Sequence, residues 1–279
     1  MLPVLALLLA ALTWGSAFCF IKQILDHFSP YYLLAFRFSL AGIILCLLFF
    51  KRLLHVKKET LKHGIQLGTI LYFEFFFYTI GLQYTSASKS AFICAGYMII
   101  LPLVYYIIVK KRPTRYEVLA SIVCMAGLTC ILCSDISSLN IGDAISCLTT
   151  VCYAIHIVYT GIYAREDDPV LLNVLQIGFA GILAWGFALF TGPVPAQISS
   201  DVLSGIVFLA VMCTIVPYFL SIYGQRYVKT STSGILLSFE SVFGAGLSIL
   251  ILGDPITPMF ILGTILVTGA AVLSEARQS

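Results

Sequence analysis

The fold class this sequence predicts is an all-α integral membrane protein, with ten transmembrane helices arranged as two inverted five-helix repeats. Three observations carry it: the hydropathy, the sidedness of positive charge and an internal repeat. Of 279 residues, 60% are hydrophobic and 10% charged, and the mean hydropathy is +1.01. A water-soluble domain carries roughly 25% charge to keep its surface wet. Each polar group of this chain must therefore be explained against hydrocarbon.

A helix needs about 20 apolar residues to cross roughly 30 Å of hydrocarbon. That rule places spans at 3–25, 31–50, 63–84, 86–109, 115–134, 140–164, 169–190, 202–224, 230–252 and 256–275. The first starts beside Met1 without a basic leader and is too long for a cleaved signal core, so it reads as a permanent helix. The second opens after Ser29-Pro30, the fifth after Pro113, the seventh at Asp168-Pro169 and the tenth after Gly253-Asp254-Pro255. Proline suits a first helical turn because its missing N–H would be unpaired there anyway. The connections leave no room for a soluble domain.

With the N-terminus in the cytoplasm, the inner connections and tail hold Lys51, Arg52, Lys57, Lys58, Lys62, Lys110, Lys111, Arg112, Arg115, Arg165, Arg226, Lys229 and Arg277. The outer connections hold Asp135, Asp143, Asp201 and Asp254. This positive-inside pattern puts both termini in the cytoplasm, with the inner or plasma membrane as the site. It also accounts for the net charge of +3 without nucleic acid as a partner. All nine cysteines fall inside spans. Cys130 and Cys133 form a C-x-x-C in an apolar helix with no His nearby in sequence, which reads as packing rather than metal or redox chemistry.

The halves, 1–136 and 137–279, repeat. Gly81-Leu-Gln-Tyr84-Thr-Ser-Ala-Ser-Lys89-Ser90 matches Gly224-Gln-Arg-Tyr227-Val-Lys-Thr-Ser-Thr-Ser233 in spacing. Trp14 aligns with Tyr153, Pro30 with Pro169, Arg37 with Gln176 and Gly42 with Gly181, at a separation of about 140 residues. Five is odd, so the second copy enters the membrane upside down. Inverted repeats make inward-open and outward-open states natural counterparts, the architecture of secondary transporters with a midplane site.

At three places the chain resembles the EamA-type members of the drug/metabolite transporter superfamily. Leu12-Thr-Trp14-Gly-Ser-Ala-Phe18 is similar to the family's first-helix opening, and Thr85-Ser-Ala-Ser-Lys89-Ser-Ala-Phe92 to its fourth-helix entry. Ser238-Phe-Glu240-Ser-Val-Phe243 with Leu252-Gly253-Asp254 is similar to its ninth-helix signature. Ser241 stands where the family usually has Pro, and Asp254 where it has Glu. The resemblance spans the whole chain and implies export or exchange of small metabolites, often amino acids, nucleotide precursors or drugs.

The candidate substrate-binding residues follow from the cost of polarity in lipid. Glu74, Glu240, Arg37 and Lys89 turned to hydrocarbon would together cost on the order of 10 kcal/mol, so they face a cavity or one another. Glu74 paired with Lys89 or Arg37 as a structural brace is the competing reading. Glu240 is the proton-coupling candidate: it lies beside a seam of small residues (Ser233, Gly234, Ser238, Ser241, Ala245, Ser248), and Gly244, one turn on, is expected to leave open space. Trp14, Tyr153, Tyr78 and Tyr97 supply aromatic faces that suit a cationic or apolar group. His156 stands among aromatics on the sixth helix, and Gln176 offers a hydrogen bond opposite Arg37. Pro102 and Pro217, inside the fourth and eighth helices, are hinge candidates because each removes a backbone hydrogen bond.

No H-E-x-x-H, G-x-S-x-G, phosphate-binding loop or metal-ligand cluster is legible. No enzyme, cofactor or metal is therefore expected. The expected function is a secondary transporter working by alternating access, possibly proton-coupled, with amino acids or similar zwitterions preferred. Its partners are the small-molecule substrate and the lipid bilayer; monomer and homodimer both stay open. A multidrug or organic-cation exporter of the same fold is the alternative, ahead of an intramembrane enzyme or a channel.

Overall fold

The structure, a computed structural model, describes residues 1–25, 27–85, 90, 93–132, 140–195, 197–252 and 256–275. These form a bundle of helices: α1 (Leu2–Leu25), α2 (Pro30–Leu48), α3 (Lys58–Tyr84), α4 (Tyr97–Val109), α5 (Arg115–Leu132), α6 (Ile141–Glu166) and α7 (Pro169–Thr191). They continue as α8 (Ser200–Tyr227), α9 (Thr230–Leu237 and Phe239–Leu252) and α10 (Pro258–Glu275), with a short helical turn at Phe50–Leu53. Helices α2, α3, α6, α7 and α8 are each long and apolar enough to cross a membrane by themselves. Large apolar side chains such as Ile43, Leu103, Ile122, Ile182, Leu189, Leu250 and Ile265 are exposed around the bundle. A soluble protein would hide such a belt, whereas lipid covers it. The described parts of the ten spans lie where the sequence puts them, with 86–89 and 91–92 of the fourth outside the described residues.

Local chemistry sets the ends. Asn140 starts α6 with a reciprocal cap: its Oδ1 accepts from Asp143 N at 3.1 Å, and Asp143 Oδ2 accepts from Asn140 N at 2.8 Å. Such a cap contributes about 1 kcal/mol. Asp168 Oδ1 caps α7 through Val170 N at 2.8 Å, with Pro169 in the first turn. Helix α3 begins at Lys58, a turn earlier than hydropathy suggests, because its polar first turn lies beyond the hydrocarbon.

Two spans are broken at matching levels. In α4 a tight turn at Gly96 precedes Tyr97, with Gly96 N bonded to Ile93 O and Ile99 N to Gly96 O, both at 3.0 Å. In α9 the break falls at Ser238, whose Oγ donates to Ile235 O at 2.7 Å, while Ser241 N bonds back to Ser238 O at 3.2 Å. The family's proline at 241 is replaced by serine, yet the helix is interrupted three residues earlier. A serine hydroxyl competes with the backbone ladder in this way.

The packing exchanges partners between halves. Helix α1 lies on α8 and α9, while α6 lies on α3 and α4; α2 pairs with α7 and α5 with α10. Adding five to each helix number reproduces the same pairs. Single glycines repeat the relation: a Cβ on Gly81 would sit 3.0 Å from Gly142 O, and one on Gly224 would sit 2.9 Å from Pro3 O. Each glycine lets its helix approach a neighbour's backbone where a side chain would collide.

Candidate functional site

A cavity of about 70 Å³ lies at the centre of the bundle, lined by Trp14, Ala17 and Ile21 of α1, Arg37 of α2, and Glu74, Phe75 and Tyr78 of α3. Cys94 just ahead of α4, Thr149 and Tyr153 of α6, Tyr218 of α8 and Glu240 of α9 close it. A water needs roughly 10–15 Å³ of such volume, so the space holds only a handful of waters. It is a tight chamber in this state.

Arg37 is 2% exposed, and the eighth helix explains how its charge is held. Pro217 has no N–H, so the Cys213 carbonyl lacks its regular donor four residues on. The preceding turn relaxes into a π-helix, Val211–Ile215. Arg37 Nη2 donates to the Cys213 carbonyl at 2.7 Å, and Arg37 Nε to Thr214 Oγ1 at 2.7 Å. The guanidinium also lies 4.5 Å above the Phe75 ring, a cation–π geometry. Two of its five N–H bonds are thus accounted for.

The acids are not so provided for. Among the described residues Glu74 Oε2 is buried without a hydrogen-bond partner, and His156 Nδ1 lies 3.9 Å from it. Among the described residues Arg37 makes no ion pair with Glu74 or Glu240. Two further lining atoms are buried and have no partner among the described residues: Trp14 Nε1, a donor, and Thr149 Oγ1. Desolvated polar atoms without partners cost about 1–3 kcal/mol each. Three of them lie around one chamber, where buried polar groups ordinarily have a partner.

Of the residues singled out in the sequence, Trp14, Arg37, Glu74, Tyr78, Tyr153 and Glu240 line this cavity. Tyr97 sits directly behind it, its ring 4.4 Å from Tyr153 and its hydroxyl bonded to Gly234 O at 2.9 Å. His156 and Gln176 meet behind the wall, His156 Nε2 at 3.1 Å from Gln176 Oε1, and Gln176 Nε2 donates to Asn173 Oδ1 at 3.1 Å. Lys89 lies outside the described residues. The aromatic wall is continuous: Trp14 meets Tyr153 and Tyr218 edge-on at 6.4 and 5.1 Å.

Helix α1 comes close to the backbone at Gly244. A Cβ on Gly15 would lie 2.6 Å from Glu240 O and 2.9 Å from Gly244 N, so α1 rides on the backbone that carries Glu240. Thr149, Cys94, Ala17, Ile21 and Phe75 were not singled out. Thr149 was within reach, since it shares one face of α6 with Tyr153 and His156 at helical spacing.

The two ends of the chamber differ. One helical turn beyond Ile21, Ile24 borders a vestibule of about 1070 Å³ together with Phe28, Ile198, Val202 and Gly205. Between chamber and vestibule lies an apolar cluster that includes Ile21, Ile24, Ile206 and Leu209. The end of the bundle that carries the N-terminus is joined by polar contacts between α3 and α6. Asp167 accepts from Thr60 Oγ1 at 2.5 Å and faces His63 Nδ1 at 2.7 Å. His63 stacks on Tyr163 at 3.8 Å between centroids, and Tyr163 donates to Gln66 Oε1 at 2.7 Å. Arg52 and Asp168 pair outside them at 2.9 Å.

Comparison with known proteins agrees with this architecture. Residues 1–133 and again 140–275 match the EamA-like transporter family. An uncharacterized transporter of Archaeoglobus fulgidus is 29% identical over 273 residues, covering 98% of this chain and 85% of that one. The uncharacterized transporter YyaM of Bacillus subtilis is 26% identical over 268 residues, covering 91% and 87%. A solved crystal structure superimposes with a TM-score of 0.80 over 99% of both chains at 16% identity, a likeness of fold. With its ten helices, its twofold family match and its transporter relatives, the chain belongs to the EamA-like transporter family, within the drug/metabolite transporter superfamily.

Proposed function

We propose that the protein exports or exchanges small zwitterionic metabolites, amino acids or close analogues, across the plasma membrane by alternating access. The observation that carries this reading is the mixed demand of the chamber. Trp14 Nε1 and the spare N–H groups of Arg37 ask for a carboxylate, while the unpartnered Glu74 and neighbouring Glu240 ask for an ammonium group. A zwitterion answers both with one molecule. Alternating access is favoured by the partner exchange between halves, read as inverted repeats over 1–136 and 137–279, and by the paired breaks at Gly96 and Ser238. Broken helices at corresponding positions of two halves are where such transporters hold their substrates. Pro102 and Pro217 are the hinges of this reading. The Asp167–His63–Tyr163 contacts are its inner gate, on the side the basic connections assign to the cytoplasm with both termini.

Glu240 is the proposed proton site, because it lines the chamber with no carboxylate hydrogen bond among the described residues. Its aromatic surroundings keep an organic cation as the second reading. The test is counterflow in proteoliposomes against a pooled metabolite mixture, read by mass spectrometry, with and without an imposed pH gradient. Amino-acid exchange that loses its gradient dependence in Glu240→Gln supports the proposal. Exchange of organic cations alone moves the substrate class to the second reading, and gradient dependence retained in the variant removes Glu240 from the coupling.

A further inference from the structure

A second concave site lies at the end of the bundle that carries the N-terminus, apart from the central chamber. Its volume is about 320 Å³, and it is walled by the end of α4 (Leu101, Pro102, Tyr105), the connection to α5, the end of α6 and the start of α9. Four cations converge on it: Lys111, Arg112, Arg165 and Lys229. The one lining acid, Glu117, is already engaged through both oxygens. Its Oε2 accepts from Thr114 N at 2.7 Å and Thr114 Oγ1 at 3.0 Å, and its Oε1 from Ser231 Oγ at 2.8 Å. Among the described residues none of the four cations is within ion-pair distance of a carboxylate. Arg165 Nη2 reaches only the Val228 carbonyl, at 3.3 Å.

The start of α9 adds to the imbalance. Its first segment, Thr230–Leu237, has no side-chain cap, and Thr230 and Ser231 border the cavity. Uncapped amides at a helix start carry partial positive charge and suit an oxyanion. The positive-inside rule explains why cations lie at this face, but not why four, from two connections and the end of α6, meet over one hollow. A concave cluster of one sign focuses its potential on a counter-ion.

We infer that this cavity binds a phosphate-bearing anion, chemistry that an acidic phospholipid headgroup and free phosphate share. Leu101, Pro102 and Tyr105 give the cavity one apolar wall, which suits the start of an acyl chain beside a headgroup, and Leu103 and Tyr106 of the same helix are exposed on the bundle's outer surface. The site occupies the junction of both halves and borders the helix that leads to Glu240.

The test uses the full chain purified in detergent and titrated with phosphatidylglycerol, phosphatidylcholine and inorganic phosphate, with retained lipid read by native mass spectrometry and Tm followed in parallel. Phosphatidylglycerol is expected to be retained over phosphatidylcholine. Removing two cations in Arg112→Gln/Lys229→Gln is expected to weaken retention about thirty-fold, at the usual contribution of a basic side chain to acidic-lipid binding. The control Lys57→Gln/Lys58→Gln, basic residues of the same face outside the cavity, keeps wild-type retention. Phosphate that displaces the lipid and raises Tm by itself makes the free anion a ligand of the same site; lipid that resists phosphate makes it the headgroup. Equal retention in wild type and the Arg112/Lys229 variant, or an equal loss in the control, overturns the inference.

Discussion

Asp167→Ala tests the inner gate directly. The substitution deletes the acceptor of two contacts, Thr60 Oγ1 at 2.5 Å and His63 Nδ1 at 2.7 Å. Hydrogen bonds to an ionised group contribute about 1.5–3 kcal/mol each when shielded from water. Here the His63 and Asp167 side chains are 17% and 9% exposed, so water recovers part of the loss. Roughly 2 kcal/mol remains for the pair, which corresponds to about a thirty-fold shift toward an inward-open population. Hydrogen–deuterium exchange of the protein in nanodiscs reads this shift. Peptides covering 58–66 and 160–168 should exchange faster in the variant, and peptides covering 198–206 more slowly, because the proposed alternating access opens the two ends at each other's expense. Asp201→Ala, at the opposite end, should leave both unchanged. Faster exchange at both ends would mean general loosening, and no change at either end would mean these contacts gate nothing. Each result refutes the reasoning.

Gly15→Ala should drive α1 against Glu240 O and Gly244 N, at a cost of about 1–3 kcal/mol, and lower transport with Tm. Gly186→Ala, where an added Cβ meets nothing within 4 Å, should leave both intact. Pro217→Ala restores an N–H that competes with Arg37 for the Cys213 carbonyl. Substrate affinity should fall more than Tm does, and a variant with unchanged Kd would remove Arg37 from binding. Thr149→Val removes a buried hydroxyl that has no partner, so it should raise stability by about 1 kcal/mol while lowering substrate affinity. A fall in both would show that the hydroxyl serves the fold.

What the sequence revealed and what it concealed divide along physical lines. Spans are legible because hydrocarbon thickness imposes a length on every one of them. Arg37, Glu74 and Glu240 are legible because polarity in lipid demands a reason, and Trp14 because it stands in the first-helix motif and aligns with Tyr153 in the repeat. The same rule does not separate a lining group from one satisfied behind the wall, which is why His156 and Gln176 accompany the site without lining it. Ala17, Ile21 and Cys94 were hidden, since a small or apolar residue reads alike toward lipid, neighbour or cavity. Gly15 was hidden as well: only the packed helices show that its missing side chain lets α1 ride on the backbone of Glu240 and Gly244. The boundary at 136 and 137 lies outside the described residues, as do Cys133 and the Gly253-Asp254 part of the ninth-helix motif.

The two ends of the chamber also answer to different variables. Under the repeat, Thr60, His63 and Gln66 correspond to Leu203, Ile206 and Leu209, and Tyr163 and Asp167 to Ile24 and Phe28. One closure is written in hydrogen bonds and charge, the other in hydrocarbon. Ionic contacts at a partly wet surface weaken as salt rises, whereas apolar contacts weaken on cooling. Two identical halves would rest equally in either direction; under the proposed alternating access, the resting bias of this chain becomes a property of the medium, tilted one way by ionic strength and the other by cold.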